Sequence, residues 1–222
     1  MSIRPFKKYT LLLLLLLVPL LAAGCNSSQN NTQTSQQPVT QQPTPAAYNP
    51  YDKMTPVPSF TVTSTDVQDG QEMPTPQTGA MLGLGGKDLS PQLSWSGFPA
   101  TTKSFVVTMY DPDIKTPGGF WHWAVVNIPA NVTSLKTGAG NASSTDLPAG
   151  AFQLTNDVGM AQYQGAAPPK GDGKHRYFIV VTALDTDAAS LGITKNTNFN
   201  YLNVAMLAHT VGRAMIVPWY QD

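Results

Sequence analysis

Three near-continuous apolar runs, Phe105 to Tyr110, Trp121 to Ile128 and Tyr177 to Leu184, constrain this chain more than any other feature. They are rich in β-branched and aromatic side chains and lack a polar alternation, which reads as strands buried on both faces. Ser59-Phe60-Thr61-Val62-Thr63 alternates instead, the period of a half-buried strand. Between the runs lie loops punctuated by glycine and proline. The longest, Pro129 to Lys174, carries Gly138, Gly140, Gly150, Gly159, Gly165 and Gly171, too many for a long helix. One helix is expected, from Asn198 to about Val217. Asparagines can cap it, Leu202, Ala205, Met206 and His209 share a face, and Pro218 ends it. The fold class is therefore mainly β, with a C-terminal helix and long Gly/Pro-rich loops.

Charged side chains are scarce, at 12% of the chain, yet several cluster at the ends of the runs. Asp111-Pro112-Asp113 follows the first, Trp121-His122-Trp123 opens the second, and His175-Arg176-Tyr177 leads into the third. Together they read as one pocket. Taken singly, Asp111 before Pro112 is an ordinary turn starter. His122 could be a satisfied core histidine, and Tyr177 a strand aromatic. Trp95 and Trp123 are assigned to the core, and His209 to packing.

The order of these strings resembles the phosphatidylethanolamine-binding protein family, in particular its bacterial, Raf-kinase-inhibitor-like branch. The likeness starts near Leu89-Ser90-Pro91-Gln92-Leu93-Ser94-Trp95 and passes through Lys103-Ser104-Phe105 and Asn127-Ile128-Pro129-Ala130. It then resumes at Pro168-Pro169-Lys170-Gly171-Asp172 and closes on Ala208-His209-Thr210. It implies a β-sandwich with Greek-key connections and a pocket for small anions such as phosphate, acetate or a phospholipid headgroup. On this resemblance Asp111, His122, His175 and Tyr177 form the pocket, and Asp113 and Arg176 lie beside it as a structural pair. Phe120 or Trp121 would give an apolar wall, with Ala167 and Pro169 in the loop along one side.

Two aspartates alone would repel a phosphate, by about 4 kcal/mol at 4 Å in an effective dielectric of 20, so a compensating partner is required. His122 is the expected partner of Asp111, with His175 and the Tyr177 hydroxyl donating to the anion. The chain departs from the family pattern in two places. Ile114-Lys115-Thr116-Pro117 stands where Ala-Pro is usual, and Gly165-Ala166-Ala167 puts methyl groups where glycines are usual.

The N-terminus carries a separate message. Arg4, Lys7 and Lys8 precede a leucine-rich run from Leu11 to Leu21, then Ala22-Ala23-Gly24-Cys25. This has the layout of an export signal over 1–24, shorter than the roughly 20 apolar residues of a membrane span. Cys25, the one cysteine of the chain, stands where a bacterial lipobox places its acylated residue, and more than one acyl chain would anchor it stably. Residues 25–58 read as a lipidated cysteine and a disordered tether of Gln, Asn, Ser, Thr and Pro, leaving 59–222 as the domain. The expected location is the cell envelope, facing outward from the outer or cytoplasmic membrane. Without Arg4, Lys7 and Lys8, 10 basic side chains face 13 acidic ones, which disfavours nucleic acid as a partner.

The reading that follows is a membrane-tethered binding module for a small anion or phospholipid headgroup, and not an enzyme. The alternative is an inhibitor or regulator of an extracytoplasmic protease or kinase-type partner in the envelope. A hydrolase with His122 or His175 as base is the third, without a Gly-x-Ser-x-Gly elbow to supply a nucleophile. Two histidines and two aspartates suit zinc or iron, but no spacing fixes a geometry, so no metal or other cofactor is expected.

Overall fold

The computed structural model describes residues 48–81 and 85–222, so the expected leader, Cys25 and the tether as far as residue 47 lie outside the described residues. The strands are β1 (Thr61–Thr63), β2 (Leu93–Ser96), β3 (Ser104–Asp111), β4 (Phe120–Pro129), β5 (Ser134–Leu135), β6 (Phe152–Gln153), β7 (His175–Arg176), β8 (Phe178–Leu184), β9 (Thr210–Ile216) and β10 (Trp219–Tyr220). The α-helix is α1 (Phe199–Met206). Among the described residues, no helix is long and apolar enough to cross a membrane.

A five-stranded antiparallel sheet, in the order β6-β4-β3-β8-β9, forms the centre. A three-stranded sheet, β1-β2-β5, packs on one of its faces, and β10 pairs with β7 at the end of the molecule. Side chains alternate across the central strands, and both sets are buried. Phe105, Val107 and Met109 of β3 and Ile179, Val181 and Ala183 of β8 meet Leu93, Trp95 and Leu135 of the small sheet. Val106, Ala124, Val126 and Leu184 face the other way, against Ile193, Phe199, Leu202 and Met206 of α1 and the loop before it. Two covered faces account for the lack of polar alternation in the runs. Trp95 and Trp123 both lie in the first core, as expected.

The helix is shorter than its sequence pattern suggests. Asn198 does cap it, its side chain accepting from Tyr201 N–H at 2.9 Å, but α1 stops at Met206. Thr210 to Ile216 is instead a strand, paired with β8 from Ile179–Ile216 to Leu184–Thr210. Its exposure alternates, and pairing with β8 satisfies backbone groups that a longer helix would have left at the sheet edge. His209 is therefore not on the helix; its Nδ1 meets Asp185 at 2.8 Å near the surface. The compact unit also starts earlier than residue 59. Tyr48 to Asp222 belong together, because the Tyr51 ring lies 5.9 Å from Phe178 and under the Arg213 guanidinium.

Candidate functional site

Asp111 is the last member of the inward row Phe105, Val107, Met109, so the strand's own period sends a carboxylate towards the end of the core. It is only 2% exposed and cannot stay there unpaired. Its Oδ1 accepts from the N–H groups of Asp113 at 2.8 Å and Ile114 at 3.2 Å, which turns the chain out of β3. Its Oδ2 meets Nδ1 of the buried His175 at 2.7 Å. The histidine paired with Asp111 is thus His175 rather than the expected His122, and His175 sits behind the carboxylate instead of lining the hollow.

His122 reaches the site through a register shift. Met109 pairs with Trp123 and Tyr110 with Trp121, which leaves His122 as an extra residue in β4. Such a bulge re-aims a side chain. Trp121 consequently stays on the outer face, stacked on Phe199 with ring centroids 4.8 Å apart, and does not wall the pocket. The His122 ring lies 4.8 Å from Phe120 and 5.2 Å from Tyr177 on the inner side. Its Nδ1 is 2.9 Å from the Gln164 carbonyl oxygen, and a carbonyl can only accept, so Nδ1 carries a proton. Burial pulls the His122 pKa down, against the opposing pull of Asp111, and the ring is held neutral.

Tyr177 opens the inward row that continues as Ile179, Val181 and Ala183. Its hydroxyl is buried without a partner, and so is Oε1 of Gln164. Burial, reinforced by Asp111, drives the phenol pKa far up, so it remains a donor. These groups line a hollow of about 150 Å³ with Met81, Ile114, Phe120, Val158, Gly165, Ala167 and Pro168. Ala167 is in the lining as expected, whereas Pro168 takes the place foreseen for Pro169. The neighbouring methyl of Ala166 points into the core instead.

Asp88 holds this wall together, and nothing in the sequence singled it out. Its Oδ1 accepts from Gly165 N–H at 2.7 Å and from the Gln164 amide at 3.0 Å, and its Oδ2 from Ala80 N–H at 3.2 Å. Its backbone sits at φ 49°, an uncommon angle outside glycine, just after the pair Gly85-Gly86.

Asp113 and Arg176 form the anticipated pair beside the site. Arg176 donates from Nε to Oδ2 and from an η-nitrogen to Oδ1, both at 2.7 Å. Burial alone would raise the Asp113 carboxyl, but the Arg176 hydrogen bonds outweigh it and hold the pKa below 3.8. A depressed carboxyl stabilises the fold above its unfolded pKa and loses that contribution as pH falls through the folded value. Arg176→Gln should therefore cost about 1 kcal/mol at neutral pH, the small size reflecting solvent screening. Denaturant titrations should show the gap from wild type closing as pH falls below 3.8, the unfolded carboxyl value, and on through the lower folded one; a gap unchanged in acid would refute the assignment.

Among the described residues, no three metal-ligating side chains come together. The comparisons with known proteins agree with the architecture. The family model described as phosphatidylethanolamine-binding protein matches residues 63–221. The UPF0098 protein YbcL of Escherichia coli is 43% identical over 163 residues, covering 73% of this chain and 88% of YbcL. YbhB of the same organism is 46% identical over 124 residues, covering 56% and 77%. The crystal structure of YbcL, described as a member of the mammalian PEBP family, superposes with a TM-score of 0.70 over 74% of this chain and 99% of that one. A PEBP homologue from Chlamydia trachomatis, 28% identical, gives a TM-score of 0.60 over 74% and 98%. Sequence match and fold together place this chain in the phosphatidylethanolamine-binding protein family.

Proposed function

We propose that this protein is a binding module whose hollow holds a small anionic head, a phosphate or a phospholipid headgroup, and that acylated Cys25 tethers it to the cell envelope. The orphaned Tyr177 hydroxyl carries the reading. A buried phenol with no partner costs about 1–3 kcal/mol, and a ligand oxygen would remove that cost. The family's name, which refers to phosphatidylethanolamine, is in keeping with such a ligand. Binding is favoured over turnover, because the lining offers His122 as a base but, among the described residues, no serine, threonine or cysteine to attack.

Isothermal titration with inorganic phosphate and phosphorylethanolamine tests the pocket. Tyr177→Phe should weaken binding by about tenfold or more, the worth of one hydrogen bond to a charged group. No heat with either compound would end the reading. Labelling cells with an alkyne fatty acid tests the tether: the protein should label, and Cys25→Ala should not.

A further inference from the structure

We propose that the pocket takes up its anion together with one proton, carried on Nε2 of His122, and that its apolar rim selects a head bearing a carbon substituent. This rests on the anion-binding reading and adds how the charge is balanced and what the ligand must carry.

Electrostatics motivates the first half. Among the described residues, no lysine or arginine lines the hollow. Three cations of neighbouring segments are already committed: Lys115 to Asp172, Arg176 to Asp113, and Lys174 to the Trp219 ring at 3.6 Å. Asp111 adds negative charge to the wall, and Gln164 Oε1 adds an acceptor. Among the described residues, the Tyr177 hydroxyl is the buried side-chain donor of the lining that lacks a partner. An anion entering this set would therefore meet acceptors on most sides.

His122 can correct the imbalance. Its Nδ1–H is tied to the Gln164 carbonyl, so Nε2 is the ring nitrogen left to accept a proton. The groups acting on the ring are Asp111 from β3, Asp157 and the Gln164 and Gly165 backbone from the loop beside β4, and the Tyr177 ring. His175 and Asp113 stand behind Asp111 and at the turn. Burial keeps the imidazole neutral in the free pocket, while Asp111 and Asp157 pull towards the charged form. An arriving anion adds to that pull. The proton comes from solvent to Nε2, and the resulting N–H donates to an anion oxygen beside the Tyr177 hydroxyl.

The rim motivates the second half. Met81 and Val158 are 49% and 39% exposed, and both border the hollow with Ile114 and Pro168. At roughly 30 Å³ per water-sized unit, about 150 Å³ holds more than one small ion. Carbon attached to the head would cover these side chains and remove apolar surface from water.

Acetate and hexanoate separate the claims, because their own carboxyls titrate well below neutrality. Calorimetry should give a hexanoate affinity that falls as pH rises above 6.5, with a slope approaching about tenfold per pH unit, that of one linked proton. Buffers of unequal ionisation enthalpy should report about one proton taken up per ligand. Hexanoate should bind about tenfold more tightly than acetate through its buried methylenes. In His122→Gln the pH slope should vanish. A flat wild-type profile with no proton uptake, or a slope that survives in His122→Gln, overturns proton coupling while leaving anion binding intact. Equal affinities for acetate and hexanoate overturn the rim's role. Silence with phosphate, acetate and hexanoate alike at every pH overturns the underlying anion reading as well.

Discussion

Replacing Asp111 with alanine should lower the melting temperature by about 10 °C, the largest loss expected from a polar position in this protein. The carboxylate ties the end of β3 to two other segments: the turn that follows, through the N–H groups of Asp113 and Ile114, and the β7 segment, through His175. Asp111 is 2% exposed and His175 is 1% exposed, so water cannot take over these bonds without opening the core. Breaking a buried pair by removing one partner costs about 3–5 kcal/mol. A domain of this size shifts by about 2–4 °C per kcal/mol.

Asp111→Asn separates geometry from charge. An amide oxygen still serves the two turn N–H groups, and its NH₂ can donate to His175 if the imidazole adopts the other tautomer. That variant should lose about 1–2 kcal/mol, in the range of a weakened hydrogen-bond set. Calorimetric scans of both variants make the comparison. An alanine variant that melts within about 2 °C of wild type would show that the network does not hold the site together.

The same residue shows how far the sequence could be read. The strands were legible because Phe105 to Tyr110, Trp121 to Ile128 and Tyr177 to Leu184 are apolar throughout, and only a sheet covered on both faces accommodates that pattern. Asp111, His122 and Tyr177 were legible as a constellation because polar side chains at the ends of such runs need a common destination. Which histidine serves Asp111 was not. That choice depends on a one-residue register shift between β3 and β4, and the period of a strand gives no sign of where an extra residue falls.

The bulge explains several departures at once. It turns His122 inward, leaves Trp121 on the outer face against Phe199, and leaves the partnership with Asp111 to His175. The loop from Asn156 to Gln164 serves the backbone around it: Asp157 bonds both the N–H and the carbonyl of Trp121, and Gln164 N–H donates to the His122 carbonyl. Such long-range satisfaction cannot be inferred from local composition. The strand after α1 escaped for a different reason. Thr210 to Ile216 alternates only weakly in hydropathy, and Pro218 was the first strong breaker after Asn198. Asp88 gave no signal because its importance lies in three bonds to segments on either side of the pocket wall.

Gly165→Ala should be nearly as damaging as the loss of Asp111, through steric crowding. A Cβ on Gly165 would lie 2.3 Å from the carbonyl carbon of Thr78 and 2.6 Å from the nitrogen of Gly79. Both are backbone atoms, held by the Thr78–Ala166 bridge and the 2.8 Å bond from Gly79 N–H to the Ala166 carbonyl. Neither segment can retreat without losing these bonds, so the cost should reach the upper part of the 1–3 kcal/mol usual for overpacking, about 3 kcal/mol. Because Gly165 and Ala167 line the hollow, the displaced wall should also weaken anion binding by more than tenfold. Gly171→Ala is the matched control. Gly171 has φ 80° but no atom within 4 Å of a built Cβ, so it should lose about 1 kcal/mol from backbone strain alone and bind normally. Melting curves and phosphate titrations of the two variants decide the matter. If Gly165→Ala melts and binds like Gly171→Ala, the close approach of the two chain segments does not shape this pocket.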